Sequence, residues 1–222
     1  MLSCSGLTKT YATERGEVAA VRGVDLTIAR GAFTSIVGRS GSGKSSLLAM
    51  VGGLSRPSGG TVRVEDTDIW TLPDHGLAHF RNRRIGFVFQ FASLLPTLRI
   101  IDNVALPALL GHSRESAGAY RRASELLDQL GIADYVDAYP AEISAGEQRR
   151  AVIARALINA PGLLLADEPT SDLDEVTEAA IMQQFRSLNR EHAMTLVMVT
   201  HNLRLAEQSD RVVHIADGRL VA

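Results

Sequence analysis

Residues 38–45 read Gly38-Arg39-Ser40-Gly41-Ser42-Gly43-Lys44-Ser45 and fit the spacing G-x-x-x-x-G-K-[ST], the pattern of a phosphate-binding P-loop. The pattern works only between a strand and a helix. The strand delivers the loop to a sheet edge, glycines let successive backbone N–H groups turn inward, and the helix adds its positive end. Its neighbours supply that setting: Phe33–Val37 predicts a buried strand, and the apolar residues from Ser46 through Val51 predict a helix start. The ligand chemistry expected of such a loop is a nucleoside triphosphate with magnesium. Lys44 is expected to reach the β- and γ-phosphates, and the Ser45 hydroxyl to bind Mg²⁺.

A chain of 222 residues has room for one large α/β domain, or for a core domain with a subdomain. The formal net charge of −2 offers no electrostatic footprint for a nucleic acid, so none is expected as a partner. The single cysteine, Cys4, cannot form an internal disulfide and suits a reducing compartment. The N-terminus does not read as a secretory leader, and no apolar run approaches the ~18 residues of a membrane span. The expectation is a protein soluble by itself.

Strand-like apolar runs recur at Val24–Ile28, Phe33–Val37, Ile85–Phe89, Leu163–Ala166, Leu196–Val199 and Val212–Ile215, with helical patterns between most of them. That alternation argues for a mainly parallel sheet with crossover helices. Near the N-terminus Leu2–Thr8, Val24–Ile28 and Thr61–Val64 are short, rich in Thr and Val, and separated by turn residues such as Ser58-Gly59-Gly60, which suggests antiparallel strands. From about Ile101 to Asn159 no strand is expected. Ala119, Ala123, Leu126, Leu127 and Leu130 fall at helical spacing, and Gly131 is placed to stop that helix. A helical block between two sheet strands reads as an inserted subdomain.

Two further segments carry chemistry. Leu163–Ala166 is a hydrophobic strand ending in Asp167 and Glu168. Strand ends face the phosphate crevice of an open α/β sheet, so Asp167 can hold Mg²⁺ through water and Glu168 can orient or deprotonate the attacking water. Without a P-loop nearby the same pair would be a solvated strand end. Residues 143–150, Ile-Ser-Ala-Gly-Glu-Gln-Arg-Arg, open a helix running through Ala151–Ile158. Ser144 and Glu147 form a capping box, which by itself explains both residue types. It does not explain the small pair Ala145 and Gly146, which would let a phosphate approach the helix N-terminus.

Taken in order, these segments resemble the ATP-binding-cassette ATPases, the nucleotide-binding subunits of ABC transporters, over essentially the whole chain. Gly38–Ser45 matches Walker A, Gln90 the Q-loop glutamine, Ser144–Gln148 the signature motif, Leu163–Glu168 Walker B, Ser171–Asp174 the D-loop and His201 the switch histidine. The resemblance implies a P-loop α/β fold with a mainly parallel core sheet and flanking helices. It adds an antiparallel β subdomain, with residues 1–90 and 160–222 forming the core and 91–159 the helical signature subdomain. It implies ATP and Mg²⁺ as cofactors, with Glu168, His201, Gln90 and Lys44 as the catalytic set. Nucleotide would be bound by Tyr11, stacked on adenine, and by Gly38, Arg39, Ser40, Gly41, Ser42, Gly43, Lys44, Ser45 and Ser46. Mg²⁺ would be met by Ser45, Gln90 and Asp167. In such families two copies pair head to tail, so Ser144, Ala145, Gly146 and Glu147 would complete the partner's site. Gln90 would sense Mg²⁺ and the lytic water, and His201 would hydrogen-bond the γ-phosphate.

Three positions depart from the family pattern: Ala145 in place of the first signature glycine, Asp172 at a usually small D-loop position, and Asn202 after the switch histidine. None removes a catalytic group. His75 and His79, four apart, lack the H-E-x-x-H pattern and read as a solvated helix face; His112, His192 and His214 have no recognisable partners. The segments Gly86–Gln90, Leu94-Leu95-Pro96 and Asp102–Pro107 resemble the branch serving lipoprotein release, macrolide and peptide export, and haem efflux, to which a cell-division ATPase is related. That branch implies an integral membrane permease as partner, and a location on the inner face of the cell membrane. Phe91, Leu94 and Leu95 either line the groove for the permease's coupling helix or serve as core. A soluble relative acting on DNA or ribosomes would need a long insertion or a second cassette. A non-hydrolytic regulator would be expected to lack Glu168 or His201. The cargo is not encoded in these residues.

Overall fold

The computed structural model describes residues 1–14, 16–111 and 118–221; His112 lies outside them. Two sheets carry the chain. The strands are β1 (Leu2–Thr13), β2 (Gly16–Ile28), β3 (Phe33–Val37), β4 (Gly59–Val64), β5 (Thr67–Asp68), β6 (Ile85–Val88), β7 (Leu163–Asp167), β8 (Thr195–Thr200), β9 (Arg211–Ala216) and β10 (Arg219–Val221). The first sheet runs β2-β1-β4-β5 and is antiparallel throughout; the second runs β10-β9-β3-β8-β7-β6, parallel except for the β9–β10 hairpin. Helices α1 (Lys44–Val51), α2 (Asp74–Arg84), α3 (Ile100–Leu109), α4 (Ala119–Gln129), α5 (Ala145–Leu157), α6 (Glu175–His192) and α7 (Leu203–Ala206) complete the α/β fold.

The central strands β3, β8 and β7 are buried on both faces, and a period of two sorts their side chains. Leu163, Leu165, Val197 and Val199 join one apolar cluster with α1 and the antiparallel sheet. Leu164, Ala166, Leu196 and Met198 join another with α3, α4, α5 and α6. Continuous apolar runs are what a sheet covered on two sides requires, because successive residues point to opposite faces. The block between β6 and β7 is helical, as the sequence suggests. Within it α4 spans Ala119–Gln129, and Gly131 follows in the left-handed region at φ 69°.

The structure corrects several boundaries. Val24–Ile28 belongs only to the antiparallel sheet, as the end of a strand that starts at Gly16. β1 continues to Thr13, and the Ile85 strand ends one residue early, at Val88. Gly59 and Gly60 lie inside β4 and not in a turn. The β1–β4 register slips between Ser5 and Thr8, and Gly60 at φ 83° crosses that irregularity where a Cβ would press on the Gly6 carbonyl. β5 and β10, of two and three residues, are too short to leave a periodic signal. Cys4 is a core group, its thiol pushed up to about 12 by burial and then by Asp25. Among the described residues no helix is long and apolar enough to cross a membrane.

Leu94 packs against the core, whereas Phe91 (73% exposed) and Leu95 (44%) face outward, dividing the two readings between them. Asn103, fully buried, shapes that stretch. Its amide accepts from Leu95 N–H and donates to the carbonyls of Leu95, Leu98 and Arg99. His75 and His79 are exposed on α2, as expected of a solvated face.

Candidate nucleotide site

The C-terminal ends of β3, β6, β7 and β8 lie side by side, and each hands over to one of the singled-out segments. After β3 the loop turns into α1 through Gly43, at φ 102° and with the Ala20 carbonyl where a Cβ would stand. Only glycine fits there. Gly38 is excluded from a larger side chain by the Ile215 carbonyl and Ser42 Oγ. Gly218 clamps the loop from β10's turn, donating to Ser42 O (3.0 Å) and accepting from Arg22 N (2.8 Å). α1 has no side-chain cap, so its first N–H groups stay available for an anion. Lys44 is buried and its Nζ donates to the carbonyls of Gly38 (2.8 Å) and Arg39 (3.0 Å), within the loop that would hold phosphate.

A cavity of about 660 Å³ opens here, lined by Ala20, Ser40, Gly41, Gly43, Lys44, Ser45, Ser46, Gln90, Glu168 and His201. Asp167 reaches it through Ser45, whose Oγ donates to Oδ1 at 3.3 Å. Burial raises the Asp167 carboxyl above its ordinary range; the Ser45 hydrogen bond opposes this, Glu168 reinforces it, and Lys44 opposes it. Glu168 takes a left-handed backbone (φ 45°), a strained conformation for a residue with a side chain. It is held by its N–H on Val199 O (2.9 Å) and by Ser171, whose N–H and hydroxyl both donate to its carbonyl. Its Oε2 lies 3.0 Å from His201 Nδ1. The expected base and the expected switch histidine therefore touch each other in one chain.

Tyr11 stands at the rim, 38% exposed, with Oη donating to Ser46 Oγ at 3.3 Å. The Lys9 ammonium sits 4.9 Å from its ring centroid and also donates to Arg56 O. One ring face is thus engaged by a cation. Ala20 and Lys9 carry no sequence signal. β2 brings Ala20 into the cavity lining, and β1 sets Lys9 on the Tyr11 ring.

Residues 144–147 are not brought to this cavity. Ser144 caps α5 and Glu147 answers it: Ser144 Oγ accepts from Glu147 N–H (3.3 Å), while Glu147 Oε2 accepts from Ser144 N–H (2.7 Å) and Oγ (2.8 Å). The Tyr135 hydroxyl, then Ser144, hold the Glu147 carboxyl below its usual range. Gly146 has a packing reason within the chain, since a Cβ there would lie 2.8 Å from Thr177 Cγ2 on α6. Asp172 is in the left-handed region at φ 65°, and Asn202 caps the four-residue α7 by accepting from Arg204 N–H (3.1 Å).

Comparison with known proteins shows the family. Residues 21–171 match the ABC transporter family. The chain is 45% identical to the lipoprotein-releasing system ATP-binding protein LolD of Geobacter metallireducens, covering 100% of this chain and 98% of that one. It is 42% identical over 98% of its length to the macrolide export ATP-binding/permease protein MacB of Rhodopirellula baltica, of which it spans 32%. Among solved structures, a dimeric ATP-binding cassette in a post-hydrolysis state with ADP and phosphate superposes with a TM-score of 0.93 at 36% identity, covering 100% of this chain and 97% of the other. With a P-loop cradle, a strand-end carboxylate pair and full-length relatives on both grounds, the chain belongs to the ABC transporter family as an ATP-binding and ATP-hydrolysing subunit.

Proposed function

We propose that this subunit works as a head-to-tail homodimer beneath an integral membrane permease, powering lipoprotein release, export or a mechanical stroke on periplasmic parts. The observation that carries the dimer is the separation within one chain. Lys44, Ser45, Gln90, Glu168 and His201 share one cavity, while Ser144–Glu147 cap a helix away from it. A second copy supplying residues 144–147 would close the site, and a dimeric structure of a similar cassette supports that geometry. The names of the relatives support lipoprotein release first and macrolide export second. Residues 1–90 and 160–222 act as the catalytic core and 91–159 as the helical signature subdomain. The assembly would sit on the inner face of the cell membrane, with Phe91 and Leu95 turned toward the permease.

The chain's own groups divide the work. Lys44 and the N–H groups of the loop bind the phosphates, and Tyr11 offers its ring to adenine. Glu168 takes a proton from the attacking water. His201 donates to the γ-phosphate, and to do so through its other nitrogen while Nδ1–H stays on Glu168 the ring must carry both protons. Ser45 Oγ and Asp167 fit Mg²⁺, because a buried carboxylate with a raised pKa beside a hydroxyl is a group short of positive charge. Bound Mg²⁺ supplies charge neutralisation on the transferring phosphate.

The test is Glu168→Gln. It should bind ATP, lose hydrolysis by about a hundredfold or more, and accumulate as a dimer by light scattering with ATP. Wild-type hydrolysis in that variant would remove Glu168 from its role, and a strictly monomeric, fully active wild type would overturn the shared site.

A further inference from the structure

Arg149 is 5% exposed and directly follows the Ser144–Gln148 match, with no role assigned to it above. It projects from α5, five residues beyond the Ser144 cap. Its Nη1 donates to Phe89 O and its Nη2 to Gln90 O, both at 2.7 Å. The planar fork therefore grips two consecutive carbonyls of the segment that follows β6. Six residues further along α5, Arg155 repeats the device on Ser93, with Nη1 on the carbonyl and Nη2 on Oγ, both at 2.8 Å. Residues 89–93 thus hang from α5 by four charge-assisted hydrogen bonds, while Gln90 lines the nucleotide cavity.

Arg149 is an expensive way to fasten a loop. Among the described residues it forms no salt bridge, and its Nε has no partner. Burial lowers its pKa, and Asp172 is the carboxylate whose field opposes that shift. A buried cation without an ion pair survives only where its hydrogen bonds repay desolvation. Two bonds to consecutive carbonyls also fix the orientation of the two peptide planes that flank Gln90, and with them the direction in which the Gln90 side chain leaves the backbone. Asp172 belongs to the segment after Glu168, so Arg149, itself on the Ser144 helix, is bonded to the Gln90 segment and lies in the field of the chain that carries the base.

We propose that Arg149 is a positioning residue for ATP hydrolysis, aiming Gln90 into the cavity and locking that aim to α5. The inference rests on the reading of Gln90 as the group that faces Mg²⁺ and the lytic water. Arg149 touches neither nucleotide nor water; it acts through Gln90.

A double-mutant cycle on the purified full chain tests it, with kcat, KM for ATP and the half-saturating Mg²⁺ concentration measured for wild type, Arg149→Ala, Arg149→Lys, Gln90→Ala and the Arg149→Ala, Gln90→Ala pair. Arg149→Ala should lower kcat by about tenfold and raise the Mg²⁺ requirement, with KM for ATP within about twofold. Arg149→Lys keeps the charge but loses the fork, and should recover part of the lost kcat. In the Gln90→Ala background, removing Arg149 should cost less than about twofold, because the group it aims is already gone. A full, multiplicative loss in that background would overturn the proposal and leave Arg149 a purely structural residue. Unchanged kcat and Mg²⁺ dependence in Arg149→Ala would overturn it as well. Wild-type activity in Gln90→Ala would instead strike the Gln90 assignment, and the proposal with it. An impaired Gln90→Ala beside a normal Arg149→Ala would spare that assignment and remove the proposal alone.

Discussion

At the scale of single residues, this site stores unfavourable energy where its ligands would relieve it. Asp167 is the clearest case: its carboxyl is raised chiefly by burial, so its ionised form is penalised in the folded protein. For an acid with a raised folded pKa the penalty is present above that pKa and vanishes once pH falls below the unfolded value. Asp167→Asn should therefore raise the thermal midpoint at neutral pH in metal-free buffer, and the gain should shrink as pH falls through the carboxylate range. The same variant should lose Mg²⁺-dependent hydrolysis. A melting series in EDTA with a parallel ATPase assay checks both, and a variant no more stable than wild type at neutral pH would refute the sign. Tyr11 invites a different measurement. Lys9 sits on one face of the ring; if the ring stacks on the base as proposed, Tyr11→Ala should weaken ATP and GTP alike, by roughly 1–3 kcal/mol. Unchanged affinity by fluorescence titration would reduce Tyr11 to packing.

At the scale of elements, two helix N-termini are finished in opposite ways. α1 begins at a glycine with no side-chain cap, beside a lysine folded onto the loop carbonyls, while α5 begins with a complete capping box. The first end is left open for an anion; the second is closed by its own Ser144 and Glu147. A phosphate arriving in trans at α5 must share the Ser144 hydroxyl with Glu147. Ser144→Ala removes the cap and should cost about 1 kcal/mol of stability. If Ser144 also meets the partner's ATP, hydrolysis well below the melting temperature should fall by about tenfold or more, beyond what so small a destabilisation explains. Denaturant titration set beside the ATPase rate separates the two, and a stability loss without a rate loss would confine Ser144 to capping.

At the scale of the whole molecule, the proposal of a site shared between two copies makes a prediction that no single variant can. A chain carrying Lys44→Ala has a damaged cradle, and a chain carrying Ser144→Arg has a damaged signature end. In a mixed dimer one site holds both lesions and the other holds neither, so part of the activity should return when the two inactive chains are combined. Affinity-tagged mixed dimers assayed for ATP turnover provide the readout. Their failure to recover activity would count against sites built from two chains, or show that both sites must act together.

The linear order of residues determined the ligand class, because a glycine-lysine loop between a strand and a helix is a local structure whose N–H groups and ammonium have one chemical use. It likewise determined the parallel strands, whose apolar runs of four or five residues encode burial, and the capping box, whose partners are three residues apart. Other features were settled only by tertiary packing, since their causes lie far apart in the chain. Ala20 enters the cavity from β2 of the antiparallel sheet, and Lys9 reaches the Tyr11 ring from β1. Gly59 and Gly60 look like a turn until the slip in β1 opposite them demands a strand that passes close to another backbone. Gly146 is small because of Thr177 on α6, thirty-one positions away. Arg149 reads as one more charge on a helix, and its burial against the carbonyls of Phe89 and Gln90 exists only once α5 is laid beside the end of β6. Sequence records what a residue can do; the contacts that make it do so come from the packing of elements distant in the chain.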